Sequence, residues 1–135
     1  MSSNDQIRIL LIDDDYALRL MYSKAFTEHG FTVVGQAENG QKGLEMYQAL
    51  KPDIVLCDIE MPVLNGVETL KAIMGDDPNA CVIMLTSVKH PEVWEACLME
   101  GARYYLNKDT PYPEIQKKVM ENWQEHQRMF SRNQP

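Results

Sequence analysis

No stretch of this 135-residue chain approaches the ~18 consecutive apolar residues of a membrane span. The polar opening, Met1 to Gln6, is not a signal peptide. Glycine and proline number seven each, too few for a collagen-like or low-complexity chain, and 44% hydrophobic residues are too many for a disordered one. Cysteine is scarce. Cys57, Cys81 and Cys97 are odd in number and form no Cys-x-x-Cys pair, and each sits in an apolar stretch. They are expected as buried thiols in a reducing cytoplasm, not as a disulfide framework or a zinc site. Positive charge is also short: 13 Lys and Arg face 20 Asp and Glu, for a net charge of −7. Such a balance makes the chain ill suited to binding nucleic acid or an anionic membrane unaided.

What is present is a regular alternation. Three short apolar runs stand out, Ile9 to Ile12, Ile54 to Cys57 and Val82 to Leu85. Near-continuous runs of this length suit strands covered on both faces, as in a parallel sheet with helices on either side. Further strands are expected at Phe31 to Gly35 and Arg103 to Asn107. Helical spacing joins Leu18, Met21, Tyr22, Ala25 and Phe26, with Gly30 ending the helix, and then Leu44, Tyr47 and Leu50, stopped by Pro52. It joins Val67, Leu70, Ile73 and Met74, with Gly75 and Pro78 beyond, then Val93, Ala96 and Cys97 after Pro91, and last Ile115, Val119 and Trp123. Five strand-helix units predict an open α/β sheet with right-handed crossovers in one domain over 7–130. Residues 1–6 are expected as a disordered start and 131–135 as a polar tail or the beginning of a linker.

The strand ends carry the chemistry. The first run closes on Asp13-Asp14-Asp15, the second on Asp58, the third on Thr86, and the fifth strand is followed by Lys108. In an open parallel sheet these carboxyl ends form the ligand crevice. Two carboxylates ~5 Å apart at an effective dielectric of ~20 repel by roughly 3 kcal/mol. Protonating one of them or binding a hard divalent cation relieves this. Mg2+ needs only one or two carboxylates and keeps positions for water and phosphate oxygens. A cation, a lysine and a hydroxyl around one aspartate equip the site for phosphoryl transfer to a carboxylate oxygen. Asp15 reads as the cap of the first helix, and Asp53, Asp76 and Asp77 as loop or cap residues.

These residues also carry a resemblance. Leu11-Ile12-Asp13-Asp14-Asp15 with Arg19, the string Lys51 to Pro62 around Asp58, Asn65-Gly66, Met84-Leu85-Thr86-Ser87 and Gly101 to Lys108 resemble the receiver domain of two-component response regulators, the CheY-like family. The resemblance covers about Ile7 to Arg128. It implies a doubly wound five-stranded sheet of order 2-1-3-4-5 with five helices, flavodoxin-like. It implies Asp58 as the acceptor of a phosphoryl group from a sensor histidine kinase or phosphotransfer protein. Mg2+ would be held by Asp14, Asp58 and the backbone carbonyl of Glu60, with Asp13 acting through water. Lys108 would pair with Asp58 and then with the phosphoryl oxygens. Thr86 and Tyr105 would be the switch residues, with Tyr105 rotating into the space Thr86 leaves. Such a protein is a cytoplasmic switch that catalyses its own phosphorylation and slow dephosphorylation at Asp58, not a turnover enzyme.

Two departures from the family pattern stand out. Asp109 follows Lys108 where a proline is usual, and Val88 stands two residues after Thr86, beside the path of an attacking water. Val88 predicts slow loss of phosphate. Surplus apolar bulk at Trp94, Leu98, Met99, Tyr105 and Met120 marks the fourth helix, fifth strand and last helix as the signalling face, with dimerisation on phosphorylation as the specific expectation. The polar tail suits a stand-alone regulator and a receiver followed by more chain equally. Two rivals remain. A haloacid-dehalogenase-type phosphatase would use Asp13 and Asp15 as its Asp-x-Asp, although Ala17 stands where that motif wants Thr or Val and 135 residues leave no room for a cap domain. A pseudo-receiver would keep the fold as a binding surface without the chemistry.

Overall fold

A computed structural model describes residues 7–131. The expected disordered start at 1–6 and most of the expected tail, 132–135, lie outside the described residues. The order of elements is β1 (Arg8–Ile12), α1 (Tyr16–Glu28), β2 (Thr32–Ala37), α2 (Gly40–Leu50), β3 (Ile54–Cys57), α3 (Gly66–Asp76), β4 (Val82–Thr86), α4 (Pro91–Met99), β5 (Tyr104–Asn107) and α5 (Tyr112–Ser131). The five strands pair in parallel in the order β2-β1-β3-β4-β5, as the resemblance implied.

Side chains alternate across a strand, so each central strand feeds two cores. Leu10, Ile12, Val55, Cys57, Val82 and Met84 face α2, α3 and α4, where Tyr47, Leu70, Ile73 and Cys97 close over them. Ile9, Leu11, Ile54, Leu56, Ile83 and Leu85 face α1 and α5, under Tyr22, Phe26, Ile115 and Val119. Each fully buried Ile, Leu or Val contributes roughly 1.5–3 kcal/mol, so the three central strands anchor the fold. The three cysteines are buried and free, as their apolar settings predicted. Among the described residues no helix is long and apolar enough to cross a membrane.

The differences from expectation are local. β2 starts one residue later than expected, at Thr32, and runs two further, because Gln36 and Ala37 pair with Leu11 and Ile12 past a register shift between Ile9 and Leu10. β5 starts one residue later, at Tyr104. α3 continues through Gly75, which sits exposed with nothing within 4 Å of where its Cβ would be, and is capped by Asp77. Met21, assigned to the inward stripe of α1, points outward, while Tyr22 and Phe26 fill the core. The inward arc of α1 is thus narrower than the spacing suggested. α5 takes in Ser131, one residue past the expected boundary.

Candidate functional site

The parallel strands all end at one rim, and their last residues meet there. Asp13 follows β1, Asp58 follows β3, Thr86 ends β4, and Lys108 follows β5. The Lys108 backbone N–H donates to the Thr86 carbonyl at 2.9 Å, so β5 remains zipped to β4 up to the lysine. The Asp58 backbone N–H donates to the Ile12 carbonyl at 2.9 Å, which brings β3 beside the acidic turn. One carboxylate oxygen from each of Asp13, Asp14 and Asp58 lies within 4.8 Å of the others.

Lys108 Nζ reaches into this group. It lies 2.7 Å from Asp13 Oδ2 and 3.1 Å from Asp58 Oδ2, with only 11% of its side chain exposed. The pairing with Asp58 was expected. The shorter contact, to Asp13, was not. Burial draws the Lys108 ammonium down, but its bonds to Asp13 and the charges of Asp13 and Asp58 outweigh burial and hold it above its ordinary value. Burial lifts the Asp13 carboxyl above the usual carboxylate range, against the opposing pull of Lys108 and of the Asp15 N–H. One ammonium thus answers three carboxylates and leaves about two negative charges at the rim, the complement of a divalent cation.

The two adjacent aspartates have opposite surroundings. Asp13 is buried: its Oδ1 accepts from Asp15 N at 2.8 Å, its Oδ2 from Lys108, and its carbonyl from Arg19 Nη1 at 2.6 Å. Asp14 is exposed, and no hydrogen bond or ion pair joins its carboxylate to another described residue. Asp15 caps α1, accepting from Leu18 N at 3.1 Å, as its position predicted. That engagement turns Asp15 to the helix and leaves no Asp-x-Asp pair facing the rim.

The loop after β3 is shaped by Gly66. A Cβ there would sit 2.0 Å from the Asp58 carbonyl oxygen, so only glycine allows α3 to start against the backbone of Asp58. Gly66 N donates to the Ile59 carbonyl at 2.8 Å, and Asn65 with Glu68 forms a capping box on α3. Asp58 Oδ1 accepts from Ile59 N at 2.7 Å and Oδ2 from Lys108, with the side chain buried. Glu60 is exposed. Val63 takes a left-handed φ of 70° and is 79% exposed, while Leu64 N closes back on the Pro62 carbonyl at 2.8 Å.

Thr86 is fully buried, and its Oγ1 accepts from Val88 N at 3.3 Å. The Val88 carbonyl accepts from the half-buried Tyr105 hydroxyl at 3.0 Å and from Trp94 Nε1 at 3.4 Å, with the two rings 5.1 Å apart. Val88 therefore links the buried hydroxyl to an aromatic pair at the surface, a role its apolar side chain did not signal. Trp94, Leu98 and Met99 are exposed on α4, Met99 by 86%, while Tyr105 and Met120 lean on the core. In place of the usual proline, Asp109 pairs with Lys89 at 2.8 Å, and its N–H donates to Asn107 Oδ1.

The all-oxygen donor set, its surplus negative charge and the unpartnered Asp14 fit a hard divalent cation. Comparison with known proteins agrees with this geometry. The family profile for the response regulator receiver domain matches residues 9–120. The chain is 38% identical over 101 residues to the chemotaxis protein CheY of Thermotoga maritima, covering 75% of this chain and 84% of that one. It is 36% identical over 110 residues to the nitrate/nitrite response regulator NarL of Escherichia coli, covering 81% of this chain but 51% of NarL. Among solved structures it is similar to that of the CheX-CheY-BeF3-Mg2+ complex of Borrelia burgdorferi, with a TM-score of 0.83, 29% identity, and coverage of 85% and 87% of the two chains.

Proposed function

From the premise that the chain belongs to the response regulator receiver domain family, we propose that it is a phosphoryl-accepting switch whose acceptor is Asp58. The family is a class of signalling switches, not turnover enzymes, and receiver domains bind Mg2+ at an acidic cluster of the kind formed here by Asp13, Asp14 and Asp58. The observation that carries the proposal is Lys108 Nζ held between Asp13 and Asp58 beside the unpartnered Asp14.

In this reading Asp58 Oδ attacks the phosphorus of a phosphohistidine on a sensor kinase or phosphotransfer protein. The P–N bond breaks, the imidazole nitrogen keeps the bonding pair and takes a proton, and Asp58 becomes an acyl phosphate. Asp14, Asp58 and the Glu60 backbone carbonyl would hold Mg2+, with Asp13 acting through water. When bound, the ion supplies charge neutralisation for the carboxylates and the incoming phosphoryl oxygens. Lys108 stands within reach of the new oxygens and trades Asp58 for them. Thr86 Oγ1, released from Val88 N, turns to donate to the phosphoryl group. The loop after β4 then follows, and Tyr105 moves with Val88. The new charge biases a two-state equilibrium. Signalling passes through the face of α4, β5 and α5, where exposed Trp94, Leu98 and Met99 offer an apolar surface for a partner or a second phosphorylated copy. We place this switch in the cytoplasm, acting without direct nucleic-acid or membrane contact, as one domain over 7–130.

The test is intact mass after incubation with a small phosphodonor and Mg2+. The wild type gains one phosphoryl group and Asp58→Asn none. Gain by both, or by neither, overturns the assignment, and the second result favours a pseudo-receiver. Continuous hydrolysis of the donor favours a phosphatase. The Val88 side chain cannot orient a water by hydrogen bonding, so the acyl phosphate is expected to outlast seconds, and decay within seconds contradicts that.

A further inference from the structure

Asp14 is the one carboxylate of the cluster without a partner among the described residues, so something other than a side-chain bond must set where it points. The peptide joining Asp13 to Asp14 is planar, and fixing its carbonyl oxygen fixes the nitrogen and Cα of Asp14 as well. That oxygen lies beyond the last paired residue of β1 and has no neighbouring strand to bind it. Arg19 Nη1 donates to it at 2.6 Å from the second turn of α1, a short and charge-assisted bond.

The guanidinium is itself held. The Tyr16 ring lies 5.6 Å from it, and the side chain lines a small cleft with Asp13, Tyr22, Leu56 and Leu85. Its Nε is buried with no partner among the described residues. The arginine keeps its grip on the Asp13 carbonyl at the expense of one unsatisfied donor. Capping of α1 by Asp15, and the Arg19 N–H to Asp15 carbonyl bond at 3.0 Å, fix the angle from which the side chain returns.

We propose that Arg19 is a positioning residue for the cation site: it clamps the Asp13–Asp14 peptide so that the free Asp14 carboxylate is presented to a divalent ion. This rests on the Mg2+ reading above. Simple electrostatics makes the opposite forecast. Removing a cationic side chain from beside a cation site strengthens cation binding, whereas removing a clamp weakens it. The sign of the effect therefore separates positioning from charge.

The measurement is Mg2+ affinity by titration calorimetry on the whole chain, with thermal melts in EDTA to confirm folding. Arg19→Met, which keeps the stem but loses charge and donor, is expected to bind Mg2+ about tenfold more weakly, a typical cost of removing a group that orients a ligand. Arg19→Lys, which keeps the charge and one donor, recovers part of the loss. Arg19→Gln gives the same comparison should the Met variant not fold. Wild-type binding with an equal or tighter affinity in the Met or Gln variant overturns the role of Arg19 alone. Absence of Mg2+ binding in the wild type overturns the cation site and this inference with it.

Discussion

At the carboxyl rim of the sheet, Lys108 is nearly buried and lies within 3.1 Å of two buried carboxylates. At the opposite end His126, on the last turns of α5, is buried as well, but its only polar partner among the described residues is the Asn79 carbonyl, 2.9 Å from Nε2. A carbonyl only accepts, so Nε2 carries the proton, and Nδ1 is left buried without a partner among the described residues. The Trp123 and Phe130 rings flank the imidazole. Burial pulls its pKa down and nearby Arg103 adds to that, while the Asn79 bond and Asp77 pull it up less. A buried group thus stays charged at the rim, where opposite charge is in direct contact with it, and neutral at the foot, where Asp77 acts too weakly to offset burial. The ends differ in backbone too. The turns at the foot use Gly30 and Gly101 at positive φ, or Lys51 in the ordinary left-handed region, whereas the rim places a β-branched residue, Val63, at φ 70°.

The largest break in this contrast comes from Lys108→Met. Removing one partner of a buried pair leaves the carboxylates facing one another, and a loss of about 3 kcal/mol is expected at neutral pH without metal. Urea unfolding in EDTA measures it. Mg2+ should then raise the melting temperature of the variant more than that of the wild type, since the ion answers the charge the lysine left. A variant as stable as the wild type in EDTA shows that the cluster is already protonated or hydrated.

Val63→Gly sharpens the contrast in backbone strain. The Leu64 N to Pro62 carbonyl bond makes a three-residue turn centred on Val63, a strained form for any residue with a Cβ. Glycine removes the strain but adds freedom to the unfolded chain. The side chain is too exposed to lose much packing, so a net gain of about 1 kcal/mol is expected. A loss in the same unfolding assay means that Val63 packs more than its exposure suggests.

His126 tests the foot through pH. Its folded pKa lies below the value near 6.5 that it has when unfolded, so between the two the unfolded chain binds the extra proton. Stability from this group is complete above about pH 6.5 and falls as the pH descends from there toward the folded pKa. His126→Gln, which can still donate to Asn79 but does not titrate, is expected to flatten the acid side of the stability profile between pH 7.5 and 5.5. An unchanged slope shows that His126 is not the source of the acid sensitivity.

How much of this was legible follows the same division. The three central strands and the convergence of Asp13, Asp14, Asp58, Thr86 and Lys108 could be read, because apolar runs of that length belong to buried parallel strands and such strands end together. Which of the adjacent aspartates turns inward could not. The Asp15 N–H and Arg19 decide that, through contacts two and six residues away that hydrophobic period does not register. His126 was silent for a related reason: its partner Asn79 is 47 residues distant and offers only backbone. Gly75 looked like a stop, yet exposed with open space around it, it costs α3 little.

The smallest effect belongs to a pair that shares the chemistry of Lys108 without its setting. Lys89 and Asp109 meet at 2.8 Å, as close as Lys108 and Asp13, and they tie the loop after β4 to the loop after β5. Their side chains are 63% and 77% exposed, so water solvates each charge almost as well apart as together. An exposed pair of this kind contributes about 0.5 kcal/mol or less and is screened by salt. Lys89→Gln should therefore leave urea stability within that margin at low salt and be indistinguishable from wild type at about 1 M NaCl, where the Debye length falls to ~3 Å. Lys108→Met should keep most of its penalty in the same salt, because Asp13 and Asp58 are buried and monovalent salt screens buried charges much less. If the two variants respond alike to salt, burial is not what separates the rim from its surface, and the contrast between the two lysines fails.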